Sequence, residues 1–77
     1  MPVDNIKIYG IFIREINTES TNRVFVESIH NISKIMGIKT TAEYVENEEI
    51  LECIKSIGID YAQGYHIAKP EPVKTLL

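Results

Sequence analysis

The chain has 77 residues, of which 44% are hydrophobic and 25% charged. This composition excludes a wholly disordered chain, and the length allows one small domain whose core supplies only about 3–5 kcal/mol. The formal net charge of −3 argues against a long nucleic acid as partner, because such binding needs several Lys or Arg contacts to phosphate.

The sequence shows no signal for export or membrane insertion. No stretch approaches the ~20 apolar residues of a membrane helix, and no signal peptide is readable. We therefore expect a cytoplasmic chain, or the cytoplasmic part of a larger membrane-bound protein. The single cysteine, Cys53, excludes an internal disulfide and is interpreted as an apolar filler. His30 and His66 lie outside any metal-binding motif, so a histidine metal site is not expected.

The first predicted strand covers about Asn5–Tyr9, where β-branched residues recur. Successive side chains of a strand point to opposite faces. Lys7 and Tyr9 therefore share one face, and Ile6 and Ile8 share the other.

A helix is predicted next, beginning after the capping side chains of residues 17–20, NTES. Gly37 supplies its stop. Apolar residues recur at intervals of four, three and four, which defines one helical face: Phe25, Ile29, Ile32 and Met36.

The second half of the chain predicts a strand, a helix and a strand. Residues 38–42 are rich in β-branched side chains and predict the second strand. Asn47 is placed to cap a second helix that Gly58 ends. The predicted buried stripe of that helix consists of Ile50, Leu51 and Ile54.

The third strand is predicted more weakly, over residues 61–67, with Gly64 as an interruption. Pro70 and Pro72 are expected to prevent any regular continuation beyond it, because proline lacks the amide donor of a sheet ladder.

The resulting order, β-α-β-α-β with short connections, indicates parallel strands joined by right-handed crossovers. Three such strands leave two open edges. We therefore expect the isolated chain to associate with another copy through strands or apolar helix faces. A small doubly wound domain and a slice of an eight-stranded barrel both predict this local order.

Three polar residues fall near the C-terminal ends of the predicted strands: Lys7, Glu43 and Gln63. In barrel enzymes the substrate site is built at that end, where strand tips and βα loops converge. Taken singly, each residue is better explained without a function: the lysine as solvated at an edge, Glu43 as an exposed rim carboxylate and Gln63 as satisfying a turn.

Four sequence segments resemble the C-terminal part of the EAL domains, the family of phosphodiesterases that open cyclic di-GMP: residues 6–10 (IKIYG), 42–46 (AEYVE), 58–66 (GIDYAQGYH) and the pair Lys69-Pro70. This resemblance covers nearly the whole chain. It implies an α/β fold in which residues 1–77 form a single partial EAL domain, with the last three strands of a (β/α)8 TIM-type barrel.

The resemblance also implies site roles in the complete parent domain, a bacterial signalling enzyme that hydrolyses cyclic di-GMP to the linear dinucleotide with Mg²⁺ or Mn²⁺. It maps Lys7 to the lysine that helps position the attacking water, Glu43 to a metal ligand, and Gln63 to a polar residue beside the catalytic centre. Glu46 is assigned a supporting role. Lys69 and Pro70 match the closing element, where they shape a loop and contact the nucleotide.

Two departures from the family pattern limit what the chain itself is expected to do. The Glu-Ala-Leu motif and most other metal ligands of the family have no counterpart here, and Tyr9 stands where a small carboxylate is expected. We therefore expect no tight metal binding and no activity from the isolated chain, whose partner would be the upstream remainder of the barrel.

Alternatives remain open on the sequence alone. One is a degenerate EAL module that binds cyclic di-GMP as a sensor or binds a protein partner. Another is a small βαβ domain unrelated to this chemistry. A recombinant piece, a proteolytic remnant and a truncated gene product are equally compatible with the sequence.

Overall fold

The structure, a computed structural model, describes residues 5–64 and 67–73. His66, for which no metal role is expected, lies outside the described residues. The elements follow the order β1 (Asn5–Ile8), α1 (Gly10–Ile13), α2 (Ser20–Ile35), β2 (Lys39–Val45), α3 (Glu48–Ile57), β3 (Tyr61–Gly64) and β4 (Ile67–Pro72).

The strands form one sheet in the order β1-β2-β3-β4. β1 pairs with β2 and β2 with β3 in parallel, with α1 and α2 in the first connection and α3 in the second. The predicted alternation of parallel strands and crossover helices is confirmed. β4 is an addition to it, because it pairs antiparallel with β3.

β4 corrects the expectation that Pro70 and Pro72 prevent regular structure, since both residues lie inside this strand. A proline is tolerated in an edge strand where its missing amide would face away from the neighbour. β4 is such an edge strand, and residues two apart direct their amides to the same side. The predicted third strand is accordingly divided, with Gly64 ending β3 and Ile67 beginning β4.

The connection from β1 to α2 also differs from the prediction. Gly10 begins a four-residue helix, α1, which the sequence pattern did not indicate. α2 begins at Ser20, and its N-cap residue, Glu19, makes no side-chain capping hydrogen bond. The capping expected from residues 17–20 is therefore wrong: the Thr18 hydroxyl donates instead to the carbonyl of Glu15, at 3.2 Å.

The packed face of α2 is rotated from the predicted stripe. Its buried residues are Val26, His30 and Ser33, whereas Ile32 and Met36 are 59% and 65% exposed. The predicted stripe lies on the flank of the helix. Ile29 is partly buried against the core, and Phe25 contacts Phe12 with ring centroids 4.5 Å apart.

α3 matches its prediction. The Asn47 side chain accepts a hydrogen bond from the Ile50 amide at 2.9 Å, and Gly58 ends the helix in the left-handed region at φ 96°, which glycine adopts without a Cβ penalty. The predicted stripe is buried and joins one hydrophobic core with Ile8, Ile13, Ile16, Val26, Ala42, Val45, Ile59, Ala62 and Val73. Within the described residues, no helix is both long and apolar enough to cross a bilayer.

Candidate functional site

The sheet register brings the three predicted site residues to one face. Lys7 pairs with Thr41, and Glu43 lies two residues farther along β2, on the same face as Thr41. Ala42 pairs with Ala62, so Glu43 and Gln63 each lie one residue beyond a matched pair. Lys7, Glu43 and Gln63 therefore lie near one another at the C-terminal ends of three parallel strands.

This face of the sheet is polar, whereas the opposite face carries core residues. An open cleft on it is lined by residues of all four strands: Asn5, Lys7, Lys39, Thr41, Tyr61 and Pro70. The Thr41 hydroxyl donates to the side-chain oxygen of Asn5 at 2.8 Å, which fixes two of these side chains. Of the two lysines that line the cleft, Lys39 lies at the N-terminal end of β2, away from the strand tips.

The remaining site residues are placed around this face in different ways. Glu43 and Gln63 are half-buried, whereas Lys7 is exposed. Glu46 is exposed and follows directly after the end of β2. Lys69 is exposed on β4, where its neighbour Pro70 lines the cleft.

A β-bulge in β2 shapes the site beside Glu43. Ala42 pairs with Ala62 and Val45 with Gly64, so residues 43 and 44 lie opposite the single residue 63. The extra residue keeps Val45 in the core, where it is 2% exposed. At the bulge, Tyr44 has φ 58° and is the one non-glycine residue with positive φ in residues 5–64 and 67–73. Such a conformation costs about 1–3 kcal/mol and requires support from its surroundings.

Gly10 provides the space for the Tyr44 side chain. A Cβ built on Gly10 would overlap the Tyr44 ring, so the ring lies directly on the Gly10 backbone. Gly10 is buried at the start of α1, while Tyr44 remains 62% exposed. The glycine is thus required here by close approach.

The donor chemistry of this face matches hard divalent cations only in part. The carboxylate of Glu43 and the amide oxygen of Gln63 are the ligand types that Mg²⁺ and Mn²⁺ prefer. These cations take about six oxygen ligands, and the described part of the chain contains no group of three His, Cys, Asp or Glu residues that could hold a metal ion. The residues present do not make a complete metal site, and no chemical step is assigned to a metal within this chain.

Asn5, Thr41 and Tyr44 are site residues that sequence reasoning missed. The first two share the face of Lys7 by alternation and register, so strand parity was a usable signal for them. For Tyr44 there was none, because a bulky residue does not predict positive φ.

The family model described as EAL domain matches residues 1–70. The chain belongs to the EAL domain family. Among curated relatives, this EAL chain is 44% identical over 73 residues to "Cyclic di-GMP phosphodiesterase PdeB" of Shewanella oneidensis, covering 95% of the chain and 8% of that protein. It is 49% identical over 70 residues to "Cyclic di-GMP phosphodiesterase PdeF" of Escherichia coli, covering 91% and 9%. The chain spans about a tenth of the length of these relatives.

Solved EAL structures share the fold of this EAL chain. The EAL enzyme Bd1971, in its cAMP and cyclic di-GMP bound form, superposes with a TM-score of 0.83 at 28% identity, covering 97% of this chain and 20% of that one. Klebsiella pneumoniae BlrP1 in its manganese and cyclic di-GMP complex superposes with a TM-score of 0.81 at 31% identity, covering 87% and 17%. The α/β architecture is therefore that of part of a TIM-type EAL barrel.

Proposed function

We propose that this chain forms the C-terminal wall of a cyclic di-GMP phosphodiesterase site, with the preceding part of the EAL barrel as its partner. The observation that carries the proposal is the placement of Lys7, Glu43 and Gln63 on one face, at the C-terminal strand ends. Cyclic di-GMP is proposed as the substrate because the relatives of this chain are named cyclic di-GMP phosphodiesterases. The proposed location is the cytoplasm.

In this proposal each residue has a separate task in hydrolysing one phosphodiester bond. Lys7 supplies a positive charge that stabilises developing negative charge on the phosphate and its attacking oxygen. Glu43 would contribute an oxygen ligand to Mg²⁺ or Mn²⁺ in the complete site, and such paired cations would supply an activated water and charge stabilisation. Gln63 orients polar groups beside it, Glu46 supports the end of β2, and Lys69 with Pro70 shapes the rim.

We also propose that the 77-residue chain alone does not hydrolyse cyclic di-GMP, because it supplies too few metal ligands. One ligating carboxylate cannot displace enough of the hydration shells of two divalent cations. The other ligands would come from the preceding strands of the barrel.

A comparison of the isolated chain with the complete EAL domain that carries it tests this proposal. Linear dinucleotide is measured by chromatography with Mn²⁺ present. We expect turnover by the complete domain only, reduced about 10²-fold or more by Glu43→Gln and Lys7→Met. Lys34→Met, on the exposed surface of α2, is the matched control and keeps the original rate. Turnover by the isolated chain, or full activity of Glu43→Gln, would contradict the proposal.

A second candidate, a degenerate EAL module that binds cyclic di-GMP without cleaving it, is favoured by Tyr9. This residue follows the C-terminal end of β1 and is 69% exposed, two residues beyond Lys7. A phenol there adds bulk and no ligand charge. The sensor predicts metal-independent binding by the complete domain without turnover, and Tyr9→Asp then raises turnover. An active domain that Tyr9→Asp leaves unchanged contradicts it.

A further inference from the structure

Three properties of Tyr44 set it apart within the described part of the chain. Its backbone has positive φ, its ring rests on Gly10, and its side chain is 62% exposed. A strained backbone persists only where its surroundings fix it, and such residues cluster at functional sites. Here the bulge between Ala42 and Val45 and the glycine below the ring hold the residue.

The position of the ring relative to Glu43 indicates what it could contact. Tyr44 is the next residue after Glu43, at the end of β2 where the polar face meets the loops. The Gly10 backbone supports the ring from one side, and most of the residue remains open to solvent. A rigid, supported aromatic ring at the rim of a phosphodiester site is suited to stack against a planar base.

We propose that Tyr44 is a substrate-binding residue that stacks on a nucleobase of the substrate. The inference rests on the proposed function, because it takes the ligand to be a nucleotide whose phosphate lies beside Lys7 and Glu43. The base flanking that phosphate extends toward the rim and lies on the Tyr44 ring. The residue contributes to base binding and leaves the chemistry at phosphate to its neighbours.

The test uses the full natural protein that carries this chain and three probes: cyclic di-GMP, GMP and inorganic phosphate. Tyr44→Leu removes the aromatic ring and is expected to weaken cyclic di-GMP and GMP binding about 5- to 150-fold, the equivalent of about 1–3 kcal/mol. Tyr44→Phe retains the ring, so its affinity for both nucleotides is expected to stay within about twofold of the original protein. Inhibition by inorganic phosphate, which has no base, changes in neither variant.

Gly10→Ala provides an independent test with Tyr44 itself unchanged. The added methyl group displaces the ring, so nucleotide binding weakens as in Tyr44→Leu. In a Tyr44→Ala background, which lacks the side-chain atoms that the methyl group would meet, the same substitution adds less than twofold. Circular dichroism confirms that each variant is folded.

The outcomes separate this inference from the proposed function. If the protein hydrolyses cyclic di-GMP but Tyr44→Leu binds nucleotides as tightly as the original protein, the inference alone is overturned. Tyr44-dependent GMP binding without hydrolysis supports the inference and overturns the proposed phosphodiesterase activity. A protein that binds neither nucleotide overturns both.

Discussion

The imidazole Nδ1 of His30 lies 2.9 Å from the hydroxyl oxygen of Thr40, and both residues are buried. The same hydroxyl is 3.4 Å from a carboxylate oxygen of Asp60, to which the Thr40 amide donates at 3.0 Å. The short contact between the hydroxyl and Nδ1 is one hydrogen bond, whose direction is set by the imidazole tautomer. One side chain thus joins α2, β2 and the start of β3.

Thr40→Val is expected to destabilise the protein by about 1–3 kcal/mol. The substitution keeps the side-chain shape but leaves the buried Nδ1 of His30 without its hydrogen-bond partner. Equilibrium urea unfolding measures the change. Thr40→Ser retains the hydroxyl, so its free energy of unfolding should fall clearly less than that of Thr40→Val. Equal stability of Thr40→Val and the original protein would show that the hydroxyl contributes nothing.

A matched pair of isoleucine truncations tests where the core lies. Ile54 is fully buried, and Ile35 is 86% exposed. Ile54→Ala should cost about 2–5 kcal/mol because it leaves a cavity, which is comparable to the whole stability of a core this small. Ile35→Ala should stay within about 0.5 kcal/mol. Thermal unfolding of the two variants of the isolated chain checks this order, and similar losses would place the core elsewhere.

The N-cap of α3 gives a third prediction. Asn47→Ala removes the hydrogen bond to the Ile50 amide and should destabilise the protein by about 1 kcal/mol. Asn31 lies exposed within α2, so Asn31→Ala is the control and should be neutral or slightly stabilising. Chemical denaturation distinguishes them; an equal loss in both variants would argue against the cap.

The exposed side of α2 predicts self-association of the isolated chain. Val24, Ile32, Ile35 and Met36 are each more than half exposed and project from one side of the helix. Covering such a patch with a second copy removes apolar surface from water. Light scattering should therefore report a dimer or larger species that Ile35→Lys shifts toward monomer, whereas Thr18→Lys, at an exposed position outside α2, should not. A monomer at high concentration would refute the prediction.

The extent to which sequence predicted this fold differs between elements. The strand parity of Lys7 and the cap at Asn47 are local properties, so the parallel order and α3 were predictable. The packed face of α2 was not, because it contains His30 and Ser33, whose burial depends on partners elsewhere in the fold. β4 was missed for a similar reason: whether a strand accepts Pro70 depends on its position at an edge, which is set by the sheet.

The site shows the same division. The placement of Lys7, Glu43 and Gln63 on one face follows from period-two alternation and parallel pairing, both of which sequence spacing reflects. The bulge at Tyr44 follows from tertiary packing, because it reconciles a buried Val45 with the position of Gln63 on the neighbouring strand.

The two prolines of β4 have a consequence for assembly. With their missing amides turned outward, this margin of the sheet offers few donors to an incoming strand, whereas β1 lies at the other margin of the described sheet with no proline in it. Growth by strand addition is then possible in one direction only. Two copies that meet through β1 would leave only the proline margins exposed, so we expect the isolated chain to form closed pairs in preference to fibrils.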